Sequence, residues 1–179
     1  MQINSEVTMK ISFTALLLLI FILIFNCQQQ EQINIQKEKA SVKKTLDNYV
    51  KSIVDEDMNL YSEIVAHDSN TINVGGGVNL SWIEGWEQLK EVMNGQNDAF
   101  SDTEIDVTKE QIFISPTGKD AWAITLWDLK TVLSDGNTYL LPLRCTWVLQ
   151  KRDNKWIIVS FHKSFGVKSL EEFQVTDLE

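Results

Sequence analysis

After Gly95 the spacing of apolar residues changes from helical to alternating, and it stays alternating to about residue 165. An alternating segment presents two faces, and a sheet built from such segments must cover one of them. The helical stretch that precedes Gly95 supplies the cover. The expected fold class is therefore α+β, with N-terminal helices packed on a curved antiparallel sheet.

From Ala40, the residues Val42, Leu46, Tyr49, Val50, Ile53 and Val54 recur near i, i+3, i+4 and form one stripe of a helix. Asp57 is placed to cap a second helix carrying Leu60, Tyr61, Ile64 and Val65. A short strand is expected over 71–74, a flexible turn at Gly75, Gly76 and Gly77, and a third helix over 86–93 that ends at Asn94-Gly95. Four strands are expected at about 104–114, 121–133, 138–151 and 156–165.

Asp135-Gly136 between β-type segments predicts a two-residue hairpin, which sets Trp127 opposite Arg144 and Leu126 opposite Cys145. A three-residue loop at 153–155 sets Trp147 against Phe161, Leu149 against Val159 and Thr146 against His162. A two-residue loop would put Phe161 opposite Thr146 and mix the faces. The covered face is then expected to carry Trp122, Ile124, Leu126, Cys145, Trp147, Leu149, Ile157, Val159 and Phe161. The outer face is expected to carry Trp127, Arg144, Thr146, His162 and Ser164.

The first 26 residues read as a signal peptide, with Met9 a plausible start: Lys10 precedes an apolar run at 11–25 that is shorter than a membrane span. Ile24 stands three residues before Cys27, and QQQEQ follows, so the segment resembles a bacterial lipobox and makes Cys27 the expected lipidation site. An uncleaved signal anchor is the alternative. Residues 27–37 are read as the lipidated cysteine and a polar tether, 38–166 as one domain, and 167–179 as a tail. The expected localisation is the bacterial cell envelope, with the chain lipid-anchored to a membrane.

Removing residues 1–26 takes away one acid, Glu6, and one base, Lys10, so the net charge of −9 is unchanged. An acidic surface disfavours nucleic acid as a partner. Of the two cysteines, acylation of Cys27 leaves Cys145 without a disulfide partner. No Cys/His cluster has zinc-ligand spacing, and no phosphate-loop lysine follows the glycines, so neither a metal nor another cofactor is expected.

Arg144-Cys-Thr146, then Lys151-Arg-Asp153-Asn-Lys-Trp156, then His162-Lys-Ser164, placed behind N-terminal helices, form a combination similar to the SnoaL-like, nuclear-transport-factor-2-like (NTF2-like) superfamily. It resembles in particular the ketosteroid-isomerase-related domains and the association (hub) domain of calcium/calmodulin-dependent kinases. The likeness spans residues 38–166. Asp57 and Asp68 stand where such domains often carry aspartates, while the glycine-rich turn and Asn154 depart from the pattern. The resemblance implies a cone-shaped fold enclosing a pocket and a homodimer through the outer sheet face. It implies little about chemistry, because one fold hosts many activities.

Two constellations are candidates for function. On the outer face, Trp127, Arg144, Thr146, His162 and Ser164 read either as a dimer interface or as a catalytic histidine with helpers. At the open end of the core, Tyr61, His67, Trp82, Trp86, Asp128, Trp147 and Lys163 read as a small-molecule pocket. Asp128 or His67 is the candidate acid or base if the pocket is catalytic. The alternative is a surface Asp128–Lys163 ion pair beside core aromatics. The leading expectation is an envelope-anchored module binding a small apolar or amphipathic molecule. An isomerase-, dehydratase- or hydrolase-type enzyme and a structural dimerisation module are the competing classes.

Overall fold

The computed structural model describes residues 33–75, 82–133 and 136–165. The expected signal peptide, Cys27 and residues 167–179 lie outside the described residues. Helix α1 (Ile35–Val54) begins inside the segment expected to be tether, because the Asn34 side chain accepts from the Lys37 amide at 3.0 Å and caps it. Its stripe buries Val42, Leu46, Tyr49 and Ile53, while Val54 is exposed. Helix α2 (Met58–Ile64) is capped by Asp57, whose carboxylate accepts from the Asn59 and Leu60 amides at 3.0 Å each.

Strand β1 (Ile72–Gly75) pairs with β2 (Trp82–Glu84), a three-residue strand that the sequence did not signal. Helix α3 (Trp86–Ala99) runs through Asn94-Gly95 instead of ending there. Gly95 takes no left-handed conformation, and one glycine in a helix costs only ~1 kcal/mol relative to alanine. Strands β3 (Phe100–Ile114), β4 (Asp120–Leu133), β5 (Thr138–Arg152) and β6 (Lys155–Phe165) complete a six-stranded sheet in the order β2-β1-β6-β5-β4-β3. The sheet is mixed rather than wholly antiparallel, because β1 runs parallel to β6.

The β4–β5 hairpin corrects the expected register by one residue. Leu133 donates to the Asn137 carbonyl at 3.0 Å, so the loop holds three residues, and Gly136 takes the left-handed conformation it needs at φ 80°. Trp127 therefore faces Leu143, Leu126 faces Arg144, and Thr125 faces Cys145. A one-residue slip exchanges the faces of the whole strand. Ala121, Ala123, Thr125, Trp127, Leu129 and Thr131 point inward, and Trp122, Ile124 and Asp128 point out.

The β5–β6 hairpin reaches part of the expected pairing by an unexpected route, while Leu149 faces Ile158 instead of Val159. Its loop has two residues, Asp153 and Asn154, both at positive φ (48° and 62°), the signature of a type I′ turn. A bulge at Val148/Leu149 then shifts the register, so that Trp147 still faces Phe161 and Thr146 still faces His162. Below the bulge Trp156 and Ile158 are buried; Ile157 and Val159, expected inward, are only half-buried.

The residues that carried the family resemblance in this hairpin do mechanical work. Glu38 of α1 accepts from Lys151 Nζ at 2.7 Å and from Trp156 Nε1 at 2.9 Å, which fastens the first helix across the hairpin. Arg152 donates to Asp68 at 2.6 Å and ties the exit of α2 to the same strand end.

Candidate functional site

Alternation along β4, β5 and β6 brings Trp127, Cys145, Trp147, Phe161 and Lys163 to one inner face, under Tyr49 of α1. The Tyr49 ring lies 4.7 Å from Trp147, 5.4 Å from Phe161, 5.6 Å from Tyr61 and 6.2 Å from Trp127, centroid to centroid. Edge-on and tilted pairs of this kind put ring edges against ring faces, the favoured aromatic geometry.

Lys163 enters this cluster from β6. Its Nζ donates to the Tyr49 hydroxyl at 2.9 Å and lies 4.7 Å from the Tyr49 ring centroid, 5.4 Å from Phe161 and 5.5 Å from Trp127. Three ring faces around one ammonium recover part of the hydration it has lost. Among the described residues no carboxylate forms a salt bridge with it. Burial pushes the Lys163 ammonium down to about 8, against a smaller opposing influence from Cys145. Cys145 faces Lys163 across the strand pair, and burial raises its thiol to about 11. Burial likewise raises Tyr49 and Tyr61 above the usual phenol range.

Lys163 also lines a cavity of about 280 Å³. The walls are mainly apolar: Ile53 from α1, Ile83 from β2, Val92 and Met93 from α3, Leu129 from β4, and Leu141 and Leu143 from β5. Asn73 of β1 and Gln96 of α3 are also on the wall, and the Asn73 Oδ1 is buried without a hydrogen bond among the described residues. β1 reaches this position because Gly75, at φ 80°, lies directly beside the Lys163 carbonyl, where any Cβ would collide with the oxygen.

Of the expected pocket residues, only Lys163 lines this cavity. Asp128 lies on the exposed outer face, between Asp106 and Pro142 on the flanking strands, because the register of β4 reverses its direction. It is not a candidate pocket base. His67 is exposed; its Nε2 donates to the Ser62 carbonyl at 3.0 Å, lies 3.1 Å from the Ser62 hydroxyl, and the ring stacks on Trp86 at 3.9 Å. Trp86 stacks in turn on Tyr61 at 6.0 Å, and Tyr61 is wholly buried with its hydroxyl unpartnered. Trp82 is 63% exposed, its indole donating to Glu84 at 3.2 Å. Trp147 is core, donating to Thr125 Oγ1 at 3.0 Å.

Sequence reasoning missed Tyr49 and Asn73 as members of the site. Asn73 was visible as an amide between Ile72 and Val74 in a short apolar strand. Tyr49 gave no such signal, since a tyrosine in an amphipathic stripe reads as core.

On the outer face, Arg144 pairs with Ser164 and Thr146 with His162, all four in the expected orientation. Trp127 does not join them, being 2% exposed in the core, so the expected Trp127–Arg144 pair does not exist. In its place the outer face carries Trp122 stacked on Phe113 at 5.2 Å, with Ile124 and Val148 also exposed.

The same fold occurs in solved structures of low sequence identity. An NTF2-like superfamily protein from Salmonella enterica serovar Typhimurium aligns with a TM-score of 0.67 at 22% identity, covering 75% of this chain and 94% of that one. A type 2 hexachlorocyclohexane dehydrochlorinase aligns at 0.65 and 13%, covering 74% and 87%. The association domain of C. elegans CaMKII aligns at 0.59 and 14%, covering 72% and 96%. No curated protein matches the sequence. The profile of the SnoaL-like domain matches residues 42–168, and with this fold it establishes that the chain belongs to the SnoaL-like family, within the NTF2-like superfamily.

Proposed function

We propose that this protein is an envelope module, lipid-anchored through Cys27, that holds one small amphipathic molecule in the cavity, with the molecule's polar head at Lys163 and Asn73. The observation that carries this reading is the pairing, on the wall of one mainly apolar cavity, of an ammonium and an amide oxygen that have no carboxylate partner and no donor, respectively, among the described residues. A buried polar group left unsatisfied costs ~1–3 kcal/mol, and a ligand head that accepts from lysine and donates to asparagine would relieve it. A binding role is favoured over isomerase-, dehydratase- or hydrolase-type catalysis because neither Asp128 nor His67 lines the cavity.

Binding is tested by calorimetric titration of octanoate and 1-octanol into the full chain in lipid nanodiscs. Micromolar binding of either, weakened about tenfold or more by Lys163→Met, is expected; heats no larger than those of empty nanodiscs would sink the reading. The anchor is tested by growth on radioactive palmitate, where label should appear in the wild-type chain and vanish from Cys27→Ala.

The outer face is proposed as the surface through which two copies of the chain pair. Trp122 and Ile124, 44% and 49% exposed and adjacent to Val148, form a contiguous apolar surface of the sort that marks interaction sites. The neighbouring folds include a kinase association domain, which is consistent with assembly.

A further inference from the structure

We propose that Lys163 forms a reversible covalent imine with a medium-chain aliphatic aldehyde or ketone held in the cavity. This deepens the binding reading above and rests on it. Imine formation needs an amine that is partly uncharged, an apolar place for the carbonyl compound's chain, and a proton donor beside the nitrogen.

Each requirement is met by a different element of the fold. β6 supplies the amine, and no carboxylate among the described residues holds it as a salt-bridged cation. Helices α1 and α3 and strands β2, β4 and β5 supply the apolar walls of a 280 Å³ cavity that Lys163 itself lines. Helix α1 supplies the Tyr49 hydroxyl, 2.9 Å from Nζ. Asn73 supplies an amide whose oxygen accepts from no other group among the described residues, available to the hydroxyl of the carbinolamine.

The groups around Nζ leave the amine as the one that titrates near neutrality. Burial lowers Lys163 to about 8, so a substantial fraction is uncharged in mildly alkaline solution. The titratable groups that face it are Tyr49 on α1 and Cys145 on β5, and both are held protonated there by burial.

The step balances without any oxidant. The Nζ lone pair forms the C–N bond while the carbonyl π pair moves to oxygen. Tyr49 gives its proton to that oxygen and takes one back from nitrogen, producing the neutral carbinolamine. A second passage of a nitrogen proton through Tyr49 lets the C–O bond break, and the carbonyl oxygen leaves as water with both hydrogens that Nζ brought. Hydrolysis reverses each movement and releases the carbonyl compound.

The test is trapping. The full chain in nanodiscs is incubated with limiting octanal and cyanoborohydride, and the reduced adduct is mapped by peptide mass spectrometry. A dominant adduct on Lys163, formed faster as pH rises from 6.5 to 8.5 and blocked by excess 1-octanol, is expected. Tyr49→Phe should slow trapping about 100-fold, and Lys163→Arg should abolish the mapped adduct. Label spread over surface lysines such as Lys43 and Lys155, with no preference for Lys163, overturns the proposal whether or not the variants fold. If octanol binds and Lys163 is still not trapped, the covalent step fails while the binding reading stands; if octanol does not bind either, both fail.

Discussion

Lys163 shows how one residue's environment becomes a property of the whole protein. Its ammonium titrates near 8 in the folded chain and near 10.5 in a model peptide, so between those values the unfolded state binds more protons. The stability lost to the buried charge is fully lost below pH 8 and is regained as pH climbs. Cys145 acts the other way above pH 9, and Tyr49 and Tyr61 above pH 10, where the unfolded groups release protons that the folded ones keep. Stability should therefore rise between pH 8 and 10 by an amount on the order of 3 kcal/mol at most, given ~1.4 kcal/mol per pKa unit. Urea midpoints measured at pH 7.5 and 9.5 should rise in the wild type but not in Lys163→Met; equal slopes for the two proteins would contradict the assignment.

The elements hold the site through two close approaches. β1 comes against β6 only because Gly75 has no side chain, and this pairing brings Asn73 into line with Phe161, beside Lys163. Gly75→Ala places a Cβ against a backbone oxygen, on a backbone at φ 80° that L residues resist. The expected cost is ~2–4 kcal/mol, read as a fall in Tm, together with loss of octanoate binding; a variant as stable as the wild type would show that β1 does not need this contact. The second approach is α1 across the β5–β6 hairpin through Glu38. Burial opposes ionisation of its carboxyl, but the bonds from Lys151 and Trp156 outweigh that and hold it below the usual range. Two of the residues that suggested a family from sequence are thus the ones that clamp the helix to the sheet, and their presence says nothing about chemistry.

For the molecule as a whole, a sheet with one face under the helices leaves the other to find its own cover. The chain alone exposes Trp122, Ile124 and Val148 there, beside the polar pairs Arg144–Ser164 and Thr146–His162. If two copies pair across this face, Ile124→Asp buries a charge in the interface and should convert a dimer into a monomer by light scattering, with little effect on the fold of the single chain. A wild-type chain that is monomeric at micromolar concentration would refute the pairing.

The division between what was legible and what was not follows the strength of the pattern. The helix stripe of Val42, Leu46, Tyr49 and Ile53, the Asp57 cap, the run of strands after residue 100 and the inward set of β5 were all readable, because in the stripe and in β5 the apolar residues fall mainly on one period or parity. β4 was not readable: Trp122, Ile124 and Leu126 on one parity compete with Ala121, Ala123, Trp127 and Leu129 on the other, and either set makes a plausible buried face. The choice fell to the three-residue loop closed between Leu133 and Asn137, and to the room beneath Tyr49 that Trp127 fills. With that one register went Asp128, turned out to solvent, and Trp127, turned in to roof the ammonium. The sequence by itself determined the family, the layers and the inward-facing Lys163, since local period and capping are written in neighbouring residues. Only the tertiary structure decided which side chains meet Lys163, because that depends on a single residue of register between strands, and a turn whose closure its own sequence leaves open.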